Sequence, residues 1–288
     1  MNIQIIQAKS ALHKLKPGRL PFPYDLNIYR GCMHKCIYCY AIYSHKYMES
    51  DDYYETIFVK ENIAEVLDKE LSKIKEKGTI NLGGVCDSYQ PLEKKFELMR
   101  DVLAVLIKHK WPTNISTKSA LILRDLDLWK QLSEVASVNI AFTVTTTNDD
   151  IAKQIESGAS SSTSRLEAAS ILKKETFATI GIHLMPIIPY ITDHKDSLHT
   201  LYKFAYDHDF DYIMPGMMYL RGQTRKVFFQ SIRHTHPHLY DKLNRMYQDR
   251  EYKNEYRTHL YKYIGKLRKQ YPLTYDAKNT HKQEKLLA

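Results

Sequence analysis

Three cysteines within eight residues, Cys32, Cys36 and Cys39, are the side chains of this sequence best placed to do chemistry. Their C-x3-C-x2-C spacing lets three thiolates converge on a soft centre, either zinc or an iron–sulfur cluster. A structural zinc site or an electron-transfer cluster closes with four protein ligands, so three leave one coordination position open for reaction. A zinc knuckle completed by His34 is the competing reading, although His34 is wedged between Cys32 and Cys36.

A second stretch with chemical potential runs Gly83-Gly84-Val85-Cys86-Asp87-Ser88-Tyr89-Gln90-Pro91-Leu92-Glu93. It directly follows a short predicted strand, Thr79 to Leu82, and should therefore share a rim with the cysteine loop. Two adjacent glycines let a backbone approach a ligand closely, and they equally suit a tight turn. Cys86 sits where a small buried cysteine often ends a strand.

The cysteine loop, with the aromatic Tyr38 just before its last cysteine, resembles the radical S-adenosylmethionine (SAM) superfamily. The resemblance narrows to the spore photoproduct lyase-like (DNA repair photolyase-like) group on Asn27 to Cys32 and on Asp87, Tyr89, Gln90, Pro91 and Glu93. Further matches are Thr117-Lys118-Ser119 with Arg124, Asp125 and Asp127; Arg165 to Ala168; and Met185 to Pro189 with Asp193. It spans roughly residues 8–220.

The resemblance implies that Cys32, Cys36 and Cys39 hold a 4Fe-4S cluster whose fourth iron chelates S-adenosylmethionine. One-electron cleavage would then give a 5'-deoxyadenosyl radical that abstracts hydrogen from a substrate, the cofactors carrying the chemistry. It further implies that Tyr38, Gly83 and Gly84 line the cofactor, the glycines near its amino end. Lys118 and Thr143 would contact its ribose or carboxylate, and Arg165 would help hold the carboxylate. Cys86 would return a hydrogen atom to the product radical; as alternatives it is a core cysteine or a fourth cluster ligand.

The elements that must position these residues alternate along the chain. Strands are predicted at Tyr24 to Tyr29, Thr79 to Leu82, Thr113 to Thr117, Val138 to Thr145, Ala178 to Met185 and Tyr212 to Met217. Helices are predicted at Ile63 to Lys77, Lys94 to Lys108, Arg124 to Val135, Asp149 to Glu156, Ser164 to Lys174 and Asp196 to His208. Six βα-type repeats call for a parallel sheet with helices outside. The resemblance sharpens this α/β reading to a partial (β/α)6 TIM-like barrel with a helical C-terminal extension. Barrel strands present functional residues at their C-terminal ends. The expected division is a lead-in at 1–22, the barrel at 23–220 and the extension at 221–288.

With 288 residues, 43% of them hydrophobic, the chain can bury a large core. No charge-free apolar run of about 18 residues occurs and the start is not signal-like, so no membrane and a cytoplasmic setting are expected. Four cysteines, three of them clustered, argue for a reducing compartment and against a disulfide framework. The net charge of +9 is lopsided, with 16 Lys and Arg against 6 Asp and Glu from Tyr219 onward. That segment is also rich in tyrosine, from Tyr240 to Tyr275. Cations interleaved with aromatics suit phosphates and stacked bases; the plainer alternative is a solvated helical face with tyrosines packed beneath. The tail from Asp276 offers little to bury.

The leading expectation is thus a monomeric radical SAM enzyme acting on nucleic acid, fed electrons by a flavodoxin- or ferredoxin-type reductant. The same chemistry on a peptide or small metabolite is the nearest rival. A nucleic-acid-binding module with a structural metal, or an electron carrier, is the rival from another class.

Overall fold

The computed structural model describes residues 1–16, 18, 20–47 and 52–274. Its strands and helices follow in the order β1 (Asn2–Ile6), β2 (Leu12–Lys14), β3 (Tyr24–Leu26), β4 (Tyr29–Arg30), β5 (Thr56–Lys60) and α1 (Ile63–Leu71). Next come β6 (Ile80–Leu82), α2 (Glu93–Phe96), α3 (Leu98–Lys108), β7 (Thr113–Thr117), α4 (Leu126–Val135) and β8 (Val138–Thr143). The chain continues through α5 (Asp149–Ile155), α6 (Ser162–Glu175), β9 (Thr179–Ile187), α7 (Lys195–Asp207) and β10 (Tyr212–Met217). The C-terminal helices are α8 (Gly222–Thr235), α9 (Tyr240–Gln248) and α10 (Arg250–Gln270).

Six parallel strands, β3, β6, β7, β8, β9 and β10, lie side by side in that order, with β2 antiparallel at the β3 edge. This is the expected (β/α)6 arrangement. On β7, Thr113, Ile115 and Thr117 are buried while Asn114 and Ser116 stay partly open. The period of two thus separates a buried face from a partly open polar face lining the lumen. Trp111, Trp129, Phe142 and Tyr202 are among the largest fully buried side chains of that packing.

Three expectations needed revision. The predicted first strand, Tyr24 to Tyr29, is two strands, because β4 leaves the main sheet to pair with β5. The latter also pairs in parallel with β1, so the lead-in supplies one strand to a three-stranded side sheet and, through β2, one to the edge of the main sheet. The helix expected from Lys94 is broken at Glu97, whose φ of 50° is left-handed, so α2 and α3 are separate.

The boundary expected at 221 cuts through a shared core. Phe228, Phe229 and Ile232 of α8 cluster with Cys36 and Tyr38 of the cysteine loop, with Ile155, and with Met218 and Leu220. The tail from Asp276, and Tyr275, lie outside the described residues.

Candidate active site

The cysteine loop follows β4 and is clamped by side chains that arrive after β6. Gln90 is the main clamp. Its Oε1 accepts from Met33 N at 2.9 Å, while its Nε2 donates to Gly31 O at 3.2 Å. Asp87 accepts from Thr117 Oγ1 at 2.9 Å, from Lys118 N at 2.7 Å and from Tyr89 N at 2.9 Å. Burial alone would push Asp87 up; the facing His34 and these hydrogen bonds outweigh it and pull the carboxyl down to about 2. Glu93 takes bonds from Tyr29 Oη, Met99 N and Arg124, and Tyr89 donates to Asp125. The Asp87 to Glu93 stretch therefore fixes the loop from below.

The other wall is the connection after α5, a stretch with no local chemical signal. Cys36 forms a β-bridge with Glu156, Ile37 N donates to Ile155 O at 3.0 Å, and Gly158 N donates to His34 O at 3.0 Å. A Cβ on Gly158 would lie 1.8 Å from Met33 O, so only glycine lets the two backbones touch. Glu156 is buried and accepts from Tyr38 Oη and from Thr145 Oγ1. Burial raises its carboxyl, but Arg165, Lys118 and the Tyr38 hydroxyl lower it further, with a net fall.

The sequence-derived residues separate into groups. Cys32 and Cys36 are buried and Cys39 is partly buried. Burial raises all three thiols; Asp87 adds to it at Cys32 and Glu156 at Cys36, which reaches about 12 although Lys118 opposes the rise. Such thiols ionise only against a cation.

Lys118 brings that charge close. Its ammonium sits 5.8 Å from the Tyr38 ring centroid and has no carboxylate within ion-pair distance among the described residues. Burial disfavours its charge, yet Cys36 and Glu156 outweigh this and raise its pKa. Thr143 ends β8 beside Lys118, since Thr117 and Phe142 are register partners.

Arg165 does not have the geometry expected of a carboxylate holder. Its side chain is 1% exposed, and Nη2 pairs with Glu156 at 2.5 Å. Nε and Nη1 donate to Ser160 O and Thr143 O, each at 2.8 Å. It braces the wall.

Gly83 has φ +82°, and a Cβ on Gly84 would lie 2.4 Å from both Asp25 carboxylate oxygens, so the turn itself demands the pair. Cys86 is buried and its S–H donates to Tyr29 O at 3.1 Å; burial pushes the thiol up to about 12 despite that bond.

The zinc knuckle is not what the geometry shows. His34 Nδ1 lies 3.1 Å from Gly158 O, and Nε2 lies 3.0 Å from Asp87 Oδ2, out of line for a good hydrogen bond. Among the described residues no three His, Cys, Asp or Glu side chains converge on one ion position. Three cysteines with Lys118 close by make a thiolate donor set of the kind that holds an iron–sulfur cluster.

The lumen floor carries a row of polar side chains. Asn81 Nδ2 donates to Asp25 Oδ1 at 2.8 Å, Asn114 donates to Asn81, Asn139 donates to Asn114, and Tyr212 Oη lies 3.2 Å from Asn139 Oδ1. Tyr212 reaches across β9 because Gly181 has no side chain to block its ring. Above the row, His183 Nδ1 meets Ser116 Oγ at 3.1 Å.

The tyrosines of the C-terminal segment mostly brace the barrel. Tyr247 donates to Met218 O at 3.0 Å, Tyr256 bonds Asp193, and Tyr271 meets His199 at 2.9 Å. These three rings pack under the cationic face, whereas Tyr219 stays exposed.

Residues 26–201 match the family model described as Radical SAM superfamily. The chain belongs to the radical SAM superfamily. The superfamily works with a 4Fe-4S cluster and S-adenosylmethionine, and the three thiols with Lys118 close by fit them. An uncharacterized protein of Mycobacterium tuberculosis is 30% identical over 250 residues, which is 84% of this chain and 73% of the relative. Another of Methanocaldococcus jannaschii is 32% identical over 192 residues, covering 66% and 70%.

Among solved structures, a spore photoproduct lyase variant superposes with a TM-score of 0.66 at 15% identity, covering 94% of this radical SAM chain and 80% of its own. Spore photoproduct lyase complexed with dinucleoside spore photoproduct gives 0.61 at 16%, covering 81% and 67%. These likenesses establish the fold. No helix among the described residues is long and apolar enough to cross a membrane.

Proposed function

We propose that this radical SAM enzyme abstracts a hydrogen atom from a nucleic-acid substrate, in the manner of the spore photoproduct lyase-like group. When bound, the cluster and S-adenosylmethionine supply the one-electron cleavage that makes a 5'-deoxyadenosyl radical. Cys32, Cys36 and Cys39 hold the cluster. Lys118 offsets negative charge at the mouth, with Thr143 beside it, and Tyr38 with the Gly83-Gly84 turn closes the cofactor's side. Glu156 and Arg165 are positioning residues that hold Tyr38 and the loop. Cys86 is the hydrogen donor to the product radical, and a flavodoxin- or ferredoxin-type protein supplies the electron.

The observation that carries the substrate class is that the cationic C-terminal segment is built onto the cysteine loop: Thr224 Oγ1 of α8 donates to Cys39 O at 3.0 Å. A polyanion held by that segment lies at the mouth.

The test is anaerobic reconstitution with iron and sulfide, followed by dithionite and S-adenosylmethionine. Formation of 5'-deoxyadenosine, with deuterium arriving from a labelled oligonucleotide, supports the reading. Formation of 5'-deoxyadenosine with label arriving only from peptides or metabolites overturns the substrate class, and absence of cleavage overturns the enzyme. In Cys86→Ala the cluster absorbance should persist while products shift to adducts; unaltered products would remove its donor role.

A further inference from the structure

The cations of the C-terminal segment have an unusual set of partners. Arg221 lies 4.9 Å from the Tyr219 ring centroid, Lys242 4.0 Å from that of Tyr190, and Lys253 5.3 Å from that of Tyr247 and 5.9 Å from that of Tyr219. None of these three has a carboxylate within ion-pair distance among the described residues. The distinction matters electrostatically. A carboxylate that orients a cation also cancels its charge, whereas a ring face orients it through a quadrupole and leaves the full charge facing outward.

The location is equally specific. Tyr190 follows the C-terminal end of β9, and Tyr219 follows that of β10, so both stand on the mouth rim. Tyr219 is 60% exposed and lies five residues before Thr224, whose hydroxyl bonds the Cys39 carbonyl. Lys253 comes from α10 and reaches the same ring, tying the last helix to the rim.

We propose that Arg221, Lys242 and Lys253, aligned by tyrosine faces, form a belt that grips the phosphodiester backbone of a nucleic-acid strand beside the barrel mouth. The assignment rests on the nucleic-acid reading above and adds to it which residues hold the strand and how. Cations held on ring faces next to an opening suit a chain of phosphates that feeds a nucleotide inward, and binding of that kind releases counterions. The rings serve here to position cations rather than to stack on bases.

The test uses the full-length, cluster-loaded protein and the anisotropy of a labelled single-stranded oligonucleotide across a salt series. Arg221→Gln with Lys253→Gln should weaken binding and shrink the log–log salt slope by about 1.4, or about 0.7 per lost contact. Tyr219→Leu, which keeps both charges but loses their platform, should weaken binding about two- to fivefold with the slope unchanged. Lys75→Gln with Lys130→Gln, away from the mouth, should alter neither. Native binding whose slope survives loss of Arg221 and Lys253 overturns the belt and leaves the nucleic-acid reading standing. No salt-dependent binding by the native protein overturns both. Tighter binding to anionic phospholipid vesicles than to the oligonucleotide assigns the belt to a membrane and also overturns the proposal.

Discussion

Gly158 shows how a residue without a side chain can govern the path of the cysteine loop. Because a Cβ there would meet a backbone oxygen rather than a movable side-chain end, Gly158→Ala must shift the cysteine loop or the α5–α6 connection. The expected result is a loss of about 1–3 kcal/mol in stability and a marked fall in reconstituted cluster absorbance, with all three cysteines intact. Undiminished absorbance would show that the loop tolerates the shift. The C-x3-C-x2-C spacing marks Cys32, Cys36 and Cys39 as candidates, whereas Gly158 and Glu156 carry no such mark, because nothing local says which loop a distant helix end will touch.

His183 gives a pH dependence. Burial, reinforced by the Lys118 charge, lowers it from 6.5 to about 4. In that window the unfolded chain binds more protons than the folded one, so stability rises with pH from about 4 to 6.5 and is lost as pH falls through it. The contribution is at most about 3 kcal/mol. Thermal melts of His183→Gln across the window should be flatter than those of the native protein; parallel curves would contradict the shift.

At the scale of elements, β7 and β10 matched their predicted limits residue for residue, since alternation and flanking turns specify both. The side sheet was missed because β1 and β5 are paired across a sequence gap that single-chain patterning does not bridge. Likewise, the Asp87 to Glu93 stretch was placed on the right rim, while its role as a clamp became visible only with the partners in place. The α5–α6 wall supports a further prediction. Glu156→Gln leaves a buried guanidinium without its counter-ion and should cost about 3–5 kcal/mol in chemical denaturation. Replacing both partners, Glu156→Met with Arg165→Met, should recover most of that loss and keep S-adenosylmethionine affinity. A stable double variant that no longer binds S-adenosylmethionine would instead return Arg165 to the ligand-holding role.

Across the whole molecule, the C-terminal helices are not an appendage, because their core includes two residues of the cysteine loop. Composition identified the segment by its charge, but charge says nothing about what lies beneath, and the second core could not be read from it. Phe228 is fully buried between α8 and that loop. Phe228→Ala should cost about 3–5 kcal/mol, and cluster bleaching in air should accelerate alongside. Destabilisation with unchanged bleaching would separate the extension from the protection of the site.

The amide row across the lumen has a head and a tail. Asp25, when ionised, can only accept, so Asn81 must offer it an N–H and turn its oxygen to Asn114, which must do the same toward Asn139. One carboxylate thereby dictates which way each amide points as far as Tyr212 on the opposite edge of the sheet. Neutralising it as Asp25→Asn would leave two directions of nearly equal energy, and the floor of the barrel would lose its sense of direction while keeping every one of its remaining amides.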